Sequence, residues 1–364
     1  MSDTVAEQIA ALLDDDWGIR EDAATALGLL NDARGVPPLI RALRDSDRAV
    51  RQAAATSLTA LGEPAVVPLG FCLQDPNLEV QETASSILAS IADNRVLEAL
   101  STSLLSPNWI VRMHSAKALG RIQATETLET LILLLQDKVP GVRDEAARAI
   151  QAMGEASLPS LLSQLQDPNW RVRLRAVETL ALLKSSAAVQ PLMELVPNDA
   201  DTAVRQDAVR TLGKIGDSQV IPLLMESLKQ PSLKLPAIEA LGQIRSTEAV
   251  QALIAVIEIL PIADFVDRME GCTDPRYKVE LPPLEAAVKS LAQIGDPQAI
   301  PVLIKALQST LLRPEAADAL TCFGNAGKEA LFALLKKDPE ENLRHHILES
   351  LSRLGWRPGQ IRLY

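Results

Sequence analysis

The chain has 364 residues, of which 47% are apolar but only 3% aromatic, and a net charge of −11. A core built almost wholly from Leu, Ile, Val and Ala suits close-packed helices, and no alternating strand pattern is present. The acidic balance argues against a general nucleic-acid binder, whose affinity comes from neutralising phosphates.

Taken in chain order, the predicted elements repeat. The chain opens with a helical pattern, VAEQIAALL, then the turn DDD, then a second pattern, WGIREDAATALGLL. The second pattern returns as VRxxAxxxL. Its branched residue falls at Ile19, Val50, Val80, Val111, Val142, Val172, Val204, Leu233, Pro283, Leu312 and Leu343, in steps of 29 to 32 residues except one of 50. Eight residues further on comes Leu27, Leu58 or their equivalent, through Leu351, and four further on is usually Ala. Positions 0, 4, 8 and 11 share one helical face, and the small residue allows a neighbouring helix to approach. A shorter apolar stretch precedes each, often with Pro near its start, as in VPPLIRAL and LPSLLSQL, where a helix tolerates the missing N–H. One hairpin of about 31 residues cannot bury its apolar face, but a stack can. The expectation is a single all-α, right-handed α-solenoid of eleven hairpins over residues 1–364.

The long step lies between the eighth and ninth hairpins. Residues 259–282 form an insertion rich in Pro, expected as a loop or short extra helix with turns. It carries Phe265, Cys272 and Tyr277, and insertions in solenoids often map to the binding face. Cys272 is expected to be exposed, whereas Cys72 and Cys322 sit in apolar helical runs and read as core residues. The three cysteines form no CxxC pair, which fits a reducing compartment. The acidic start lacks a basic n-region, and no apolar run reaches the ~18 residues of a membrane span. A soluble cytoplasmic protein is expected.

Charge is uneven along the chain. Residues 1–110 hold 7 basic and 16 acidic side chains, residues 111–215 hold 13 and 12, and residues 216–364 hold 16 and 19. A basic residue follows the branched position in nine of eleven hairpins, and an Asp often lies six residues before it, so an Asp–Arg ladder along the stack is expected. Arg112 faces Ser106 instead and reads as the arginine most free to meet a partner. Off the buried face, Lys117, Arg148, Arg175 and Arg210 make a basic strip in the central hairpins, with His114 beside it. Three of the four tryptophans, Trp17, Trp109 and Trp170, occupy one position at the turn into the second helix. Trp109 and Trp170 bracket the hairpins that carry the strip, so a mixed aromatic and basic ridge is the candidate partner surface.

The repeat resembles the HEAT family, and more narrowly the short HEAT-like repeat of phycobilisome lyase subunits of the E/F type. That resemblance covers nearly the whole chain. It implies a concave groove for a protein partner, with a phycobiliprotein or a cofactor-assembly protein as the classes to expect. Lyases of this kind attach or remove a linear tetrapyrrole at a phycobiliprotein cysteine; the bilin propionates want Arg or Lys and the rings want aromatic faces. No motif beyond the repeat matches, so no catalytic residue is carried over. There is also no P-loop, GxGxxG or GxSxG. The leading expectation is a non-catalytic, protein-binding scaffold or assembly factor without a resident cofactor or metal. One alternative is a phycobilin lyase subunit handling a transient bilin. Another is an iron–sulfur assembly adaptor using Cys272 as a cluster ligand.

Overall fold

The computed structural model describes residues 3–258, 275–309 and 311–356, with residues 275–280 described by backbone alone. It is helical throughout the described residues, and packing divides it into two compact units, Met1–Leu183 and Lys184–Tyr364.

The first unit contains six hairpins: α1 (Thr4–Ala11) with α2 (Trp17–Leu30), α3 (Val36–Ala42) with α4 (Arg48–Leu61), α5 (Val66–Cys72) with α6 (Leu78–Ile91), α7 (Leu97–Ser103) with α8 (Trp109–Ile122), α9 (Leu128–Leu134) with α10 (Pro140–Met153), and α11 (Leu158–Gln164) with α12 (Trp170–Leu183). Short first helices alternate with second helices of 14 residues. The second helices begin where a polar side chain caps them: Asp16, Asp47, Asn77 and Asn108 each accept from the backbone N–H two residues on. They end on left-handed residues, Gly where the sequence supplies it but Asn31, Ala92 and Gln123 elsewhere.

The repeat pattern becomes the core. Val50, Ala54 and Leu58 of α4 are fully buried, as are Val142, Ala146 and Ile150 of α10. Each such Leu or Ile contributes about 1.5–3 kcal/mol by leaving water. Neighbouring second helices also pack on one another, and how closely depends on a position nine residues after the branched one. Where it is Gly, the backbones meet. A Cβ on Gly28 would lie 2.9 Å from Ser57 Cα, and one on Gly120 would lie 2.5 Å from Ala149 Cα. The pairs α2/α4 and α8/α10 are accordingly close, whereas α4/α6 and α10/α12 are looser, because Thr59 and Gln151 stand at that position. Ser57 seals its junction by donating to the Ala24 carbonyl at 2.8 Å.

The second unit contains α13 (Val189–Asn198) with α14 (Thr202–Ile215), α15 (Ile221–Ser227) with α16 (Pro231–Ile244), α17 (Val250–Glu258) with α18 (Pro275–Ile294), α19 (Ile300–Ala306) with α20 (Arg313–Thr321), and α21 (Gly324–Leu335) with α22 (Glu341–Arg353). Its close junctions obey the same rule: a Cβ on Gly213 would lie 2.6 Å from Ala240 Cα. The end of the insertion differs from a loop. α18 runs 20 residues from Pro275, with Pro282 and Pro283 inside it, so this part extends the ninth hairpin's second helix. Leu284 takes the buried place assigned to Pro283, which is half-buried. Phe265 and Cys272 lie outside the described residues, as does the Tyr277 side chain.

Candidate functional site

The arginine ladder forms in part: Arg344 pairs back with Asp338 as expected, but Arg20, Arg51, Arg112 and Arg313 reach forward to an acid of the next hairpin. In Arg20 the Nη1 edge binds the carbonyls of Asp14 and Asp15, its own turn, while Nε and Nη2 grip the Asp45 carboxylate of the next hairpin at 2.7 and 2.9 Å. Arg112 does the same with the Ser106 and Pro107 carbonyls and with Asp137 at 2.7 and 3.0 Å. This corrects the reading of Arg112 as free. It is 7% exposed and among the most tied of the arginines, because its acid comes from the following hairpin. Hydrogen bonds from Arg20 hold the Asp45 carboxyl below its ordinary range. At Asp137 burial, the largest influence, acts to raise it, yet the bonds from Arg112 and the Val139 N–H, with the charges of Arg112 and Lys138, together hold it low.

The expected basic strip is largely neutralised by its own helices. Arg148 pairs with Glu145 at 2.6 Å and Arg175 with Glu178 at 2.5 Å. Arg210, in the second unit, pairs with Asp207 at 2.8 Å and approaches Glu239 at 3.6 Å. Only an acid one turn away was needed, and the i, i+3 spacing supplies it. Lys117 is exposed and makes no ion pair among the described residues. His114 is half-buried, its Nδ1 3.0 Å from Ser85 Oγ. Burial, helped by Lys117, pushes its imidazole below the usual range, so it is neutral at pH 7. Trp17, Trp109 and Trp170 are exposed at the first position of α2, α8 and α12, and Trp170 carries the Arg171 guanidinium 4.9 Å from its ring centre.

Three grooves open on the second helices of the first unit. One between α2 and α4, about 670 Å³, is lined by Glu21, Thr25, Arg48 and Gln52 among others. One of about 360 Å³ follows the loose α4/α6 junction, with Thr56, Thr59, Glu82, Ser86 and His114. The third, about 390 Å³, follows the loose α10/α12 junction and brings Arg148 and Arg175 together with Arg143, Gln151, Thr179 and Leu182. Trp109, Arg112, Lys117 and Trp170 line none of these three. Sequence reasoning missed Arg143 and the grooves themselves; for the two at the loose junctions the signal was the absence of Gly at Thr59 and Gln151.

Cys72 is buried, but Cys322 is exposed, against expectation. It caps the end of α20, ten residues after the branched Leu312, a position that projects away from the core. Among the described residues no three His, Cys, Asp or Glu side chains gather as metal ligands, and no helix is long and apolar enough to cross a membrane.

Stacked helical hairpins with a layer of long second helices define an α-solenoid. The model of HEAT repeats matches residues 5–69, 102–162 and 158–236, more than half of the chain, and the chain belongs to the HEAT-repeat family. The PBS lyase HEAT-like repeat matches residues 237–258 and 283–309. Among relatives, the chain is 28% identical over 213 residues to the phycocyanin operon protein Z of Pseudanabaena tenuis, covering 54% of this chain and 95% of that protein. It is 28% identical over 239 residues to the phycocyanobilin lyase subunit alpha of Thermosynechococcus vestitus, covering 59% of this chain and 82% of the relative. Among solved structures it is similar to a karyopherin bound to the extreme C-terminus of a protein phosphatase, with a TM-score of 0.65 and 15% identity. That match covers 96% of this chain and 45% of the karyopherin, so the chain spans about half its length and the likeness concerns the fold.

Proposed function

We propose that the chain is a HEAT-repeat scaffold that holds a protein partner against the second helices of its first unit. The observation that carries this reading is the set of grooves along the second helices, two of them at the loose junctions α4/α6 and α10/α12. Long repeat surfaces are what solenoids use to bind. Exposed Trp109 and Trp170 add aromatic surface of the kind enriched at interfaces. Affinity capture from the native source on immobilised protein is expected to recover one stable partner, and capture is expected to weaken when Lys117 is reversed to Glu. Recovery of the same partner, undiminished, by a Thr59→Arg, Leu182→Arg variant, which obstructs both loose-junction grooves, rules this surface out.

A second reading is favoured by the relatives: action on a linear tetrapyrrole and a phycobiliprotein, as a phycobilin lyase subunit. It makes the partner an apo-phycobiliprotein. Co-expression with phycocyanobilin and such a protein is expected to give a covalently coloured product, stable to denaturation, if the chain itself contributes to attachment. Partner capture without colour supports the scaffold alone.

A further inference from the structure

The ladder is broken at Arg143 and at Arg205, whose Nε atoms are both buried without a hydrogen-bond partner, and the break at Arg143 coincides with a groove. Arg20 and Arg112 each use Nη1 on their own turn and the Nε/Nη2 edge on the next hairpin's carboxylate. Arg51 reaches Glu79 on the next hairpin at 2.7 Å. Arg143 makes the first half of this arrangement, Nη1 to the Asp137 carbonyl at 2.8 Å. The second half is missing. Its Nε is buried with no hydrogen-bond partner, and Arg143 makes no ion pair among the described residues. Asp167 occupies the register of Asp45 and Asp137 and, like them, accepts from the backbone N–H two residues on, here Asn169 at 2.7 Å, but across the loose α10/α12 junction it makes no pair with Arg143. Gln151 bridges the junction itself, donating to the Leu182 carbonyl at 3.0 Å.

A buried donor edge without an acceptor is costly, and an ionised acceptor is the strongest group to fill it. The groove at this junction holds Arg148 and Arg175 beyond Arg143, with Ala147, Thr179 and the exposed Leu182 along its wall. Arg148 and Arg175 already have acids, and Asp144 stands exposed at the rim, so the unmatched charge inside is that of Arg143. We infer that the α10/α12 groove receives an acidic side chain of a protein partner, a Glu or Asp followed by an aliphatic residue. Its carboxylate completes the ladder on Arg143, and its aliphatic neighbour rests on Leu182. This deepens the scaffold reading above by naming the chemistry of the partner segment, and its test does not need the natural partner.

The probe is a fluorescein-labelled hexapeptide of alternating Leu and Glu, titrated with the full chain by anisotropy, against a Leu–Gln counterpart. Saturable binding of the Glu peptide is expected, with at least about tenfold preference over the Gln peptide and at least about tenfold loss in Arg143→Gln. Arg143→Lys, which keeps the charge but not the two-pronged edge, is expected to lose most of the affinity while melting like the parent. Asp144→Asn is expected to strengthen binding severalfold, and Arg171→Gln, outside the groove, to leave it unchanged. Equal binding of the two peptides, or undiminished binding by both Arg143 variants, overturns the inference. So does Asp167→Asn destabilising the protein as much as Asp137→Asn, because Arg143 would then be held internally. Free glutarate displacing the peptide at equal molar affinity would assign the groove to a small acid and overturn the peptide assignment. Failure of the probe with a captured partner still binding elsewhere would sink this inference but leave the scaffold reading standing.

Discussion

Arg112 and Asp137 show how a single pair is set by its surroundings. The two side chains are 9% and 8% exposed, and the pair is two-pronged with the remaining guanidinium edge on backbone carbonyls. Removing the acid leaves a buried cation without its partner, so Asp137→Asn is expected to cost about 3 kcal/mol in urea unfolding at pH 7. By contrast, Arg344 and Asp338 form an exposed pair, and Asp338→Asn should cost nothing measurable. The Asp45 and Asp137 carboxyls are both held low in the folded chain, so on acidification the unfolded chain binds protons first. Their stabilisation is complete above the unfolded value of about 3.9 and is lost as pH falls through the folded value. Asp137→Asn should therefore lose less stability than the parent between neutral pH and about pH 3. A parallel loss in both would show that Asp137 carries no such linkage. Backbone strain gives a second residue-scale test. Ala92 ends α6 with φ of 54°, a conformation that costs a side-chain-bearing residue about 1–2 kcal/mol. Ala92→Gly should raise the melting temperature, and an unchanged or lower value would mean that the helix end has another support.

Among whole elements, the position nine residues after the branched one decides how second helices meet. A Cβ on Gly120 would sit 2.5 Å from the Ala149 Cα and cannot be relieved by a rotamer change, since it meets backbone. Gly120→Ala is expected to cost about 2 kcal/mol by forcing α8 and α10 apart. Gln151→Ala, at the same repeat position on the loose α10/α12 junction, loses only one exposed hydrogen bond and should cost less than about 1 kcal/mol. Similar losses in the two variants would refute the assignment of junction tightness to this residue. This rule also shows what the sequence revealed and what it hid. The hairpins were legible because a 3.6-residue apolar period and a fixed repeat both report burial, and every later branched residue from Val50 to Leu233 is at most 7% exposed. The partner of Arg112 was not legible, because the ladder pattern looks six residues back, where Ser106 stands, while the acid that binds it, Asp137, lies in the next hairpin. The helical Pro282–Pro283 stretch was hidden for a different reason. Two prolines usually mark a turn, and only packing beside Leu284 and Ala287 carries a helix through them.

At the scale of the molecule, stability in a repeat array is the sum of hairpin terms and nearest-neighbour junction terms. The junctions of the first unit are unequal, with α2/α4 and α8/α10 close and α4/α6 and α10/α12 loose. An array of that kind opens first where its junctions are weak, in blocks bounded by them. Hydrogen exchange read by mass spectrometry is therefore expected to protect α2 with α4, and α8 with α10, as two separate blocks. Gly120→Ala supplies the decisive comparison. It should accelerate exchange in α8 and α10 together while leaving α2 and α4 close to their parental rates, because the loose α4/α6 junction passes little of the perturbation on. A uniform acceleration across the unit would mean that it unfolds as one cooperative body. The loose junctions would then be openings shaped for a partner without also being weak points in the stack, and the grooves would be rigid features rather than the yielding ones this inequality implies.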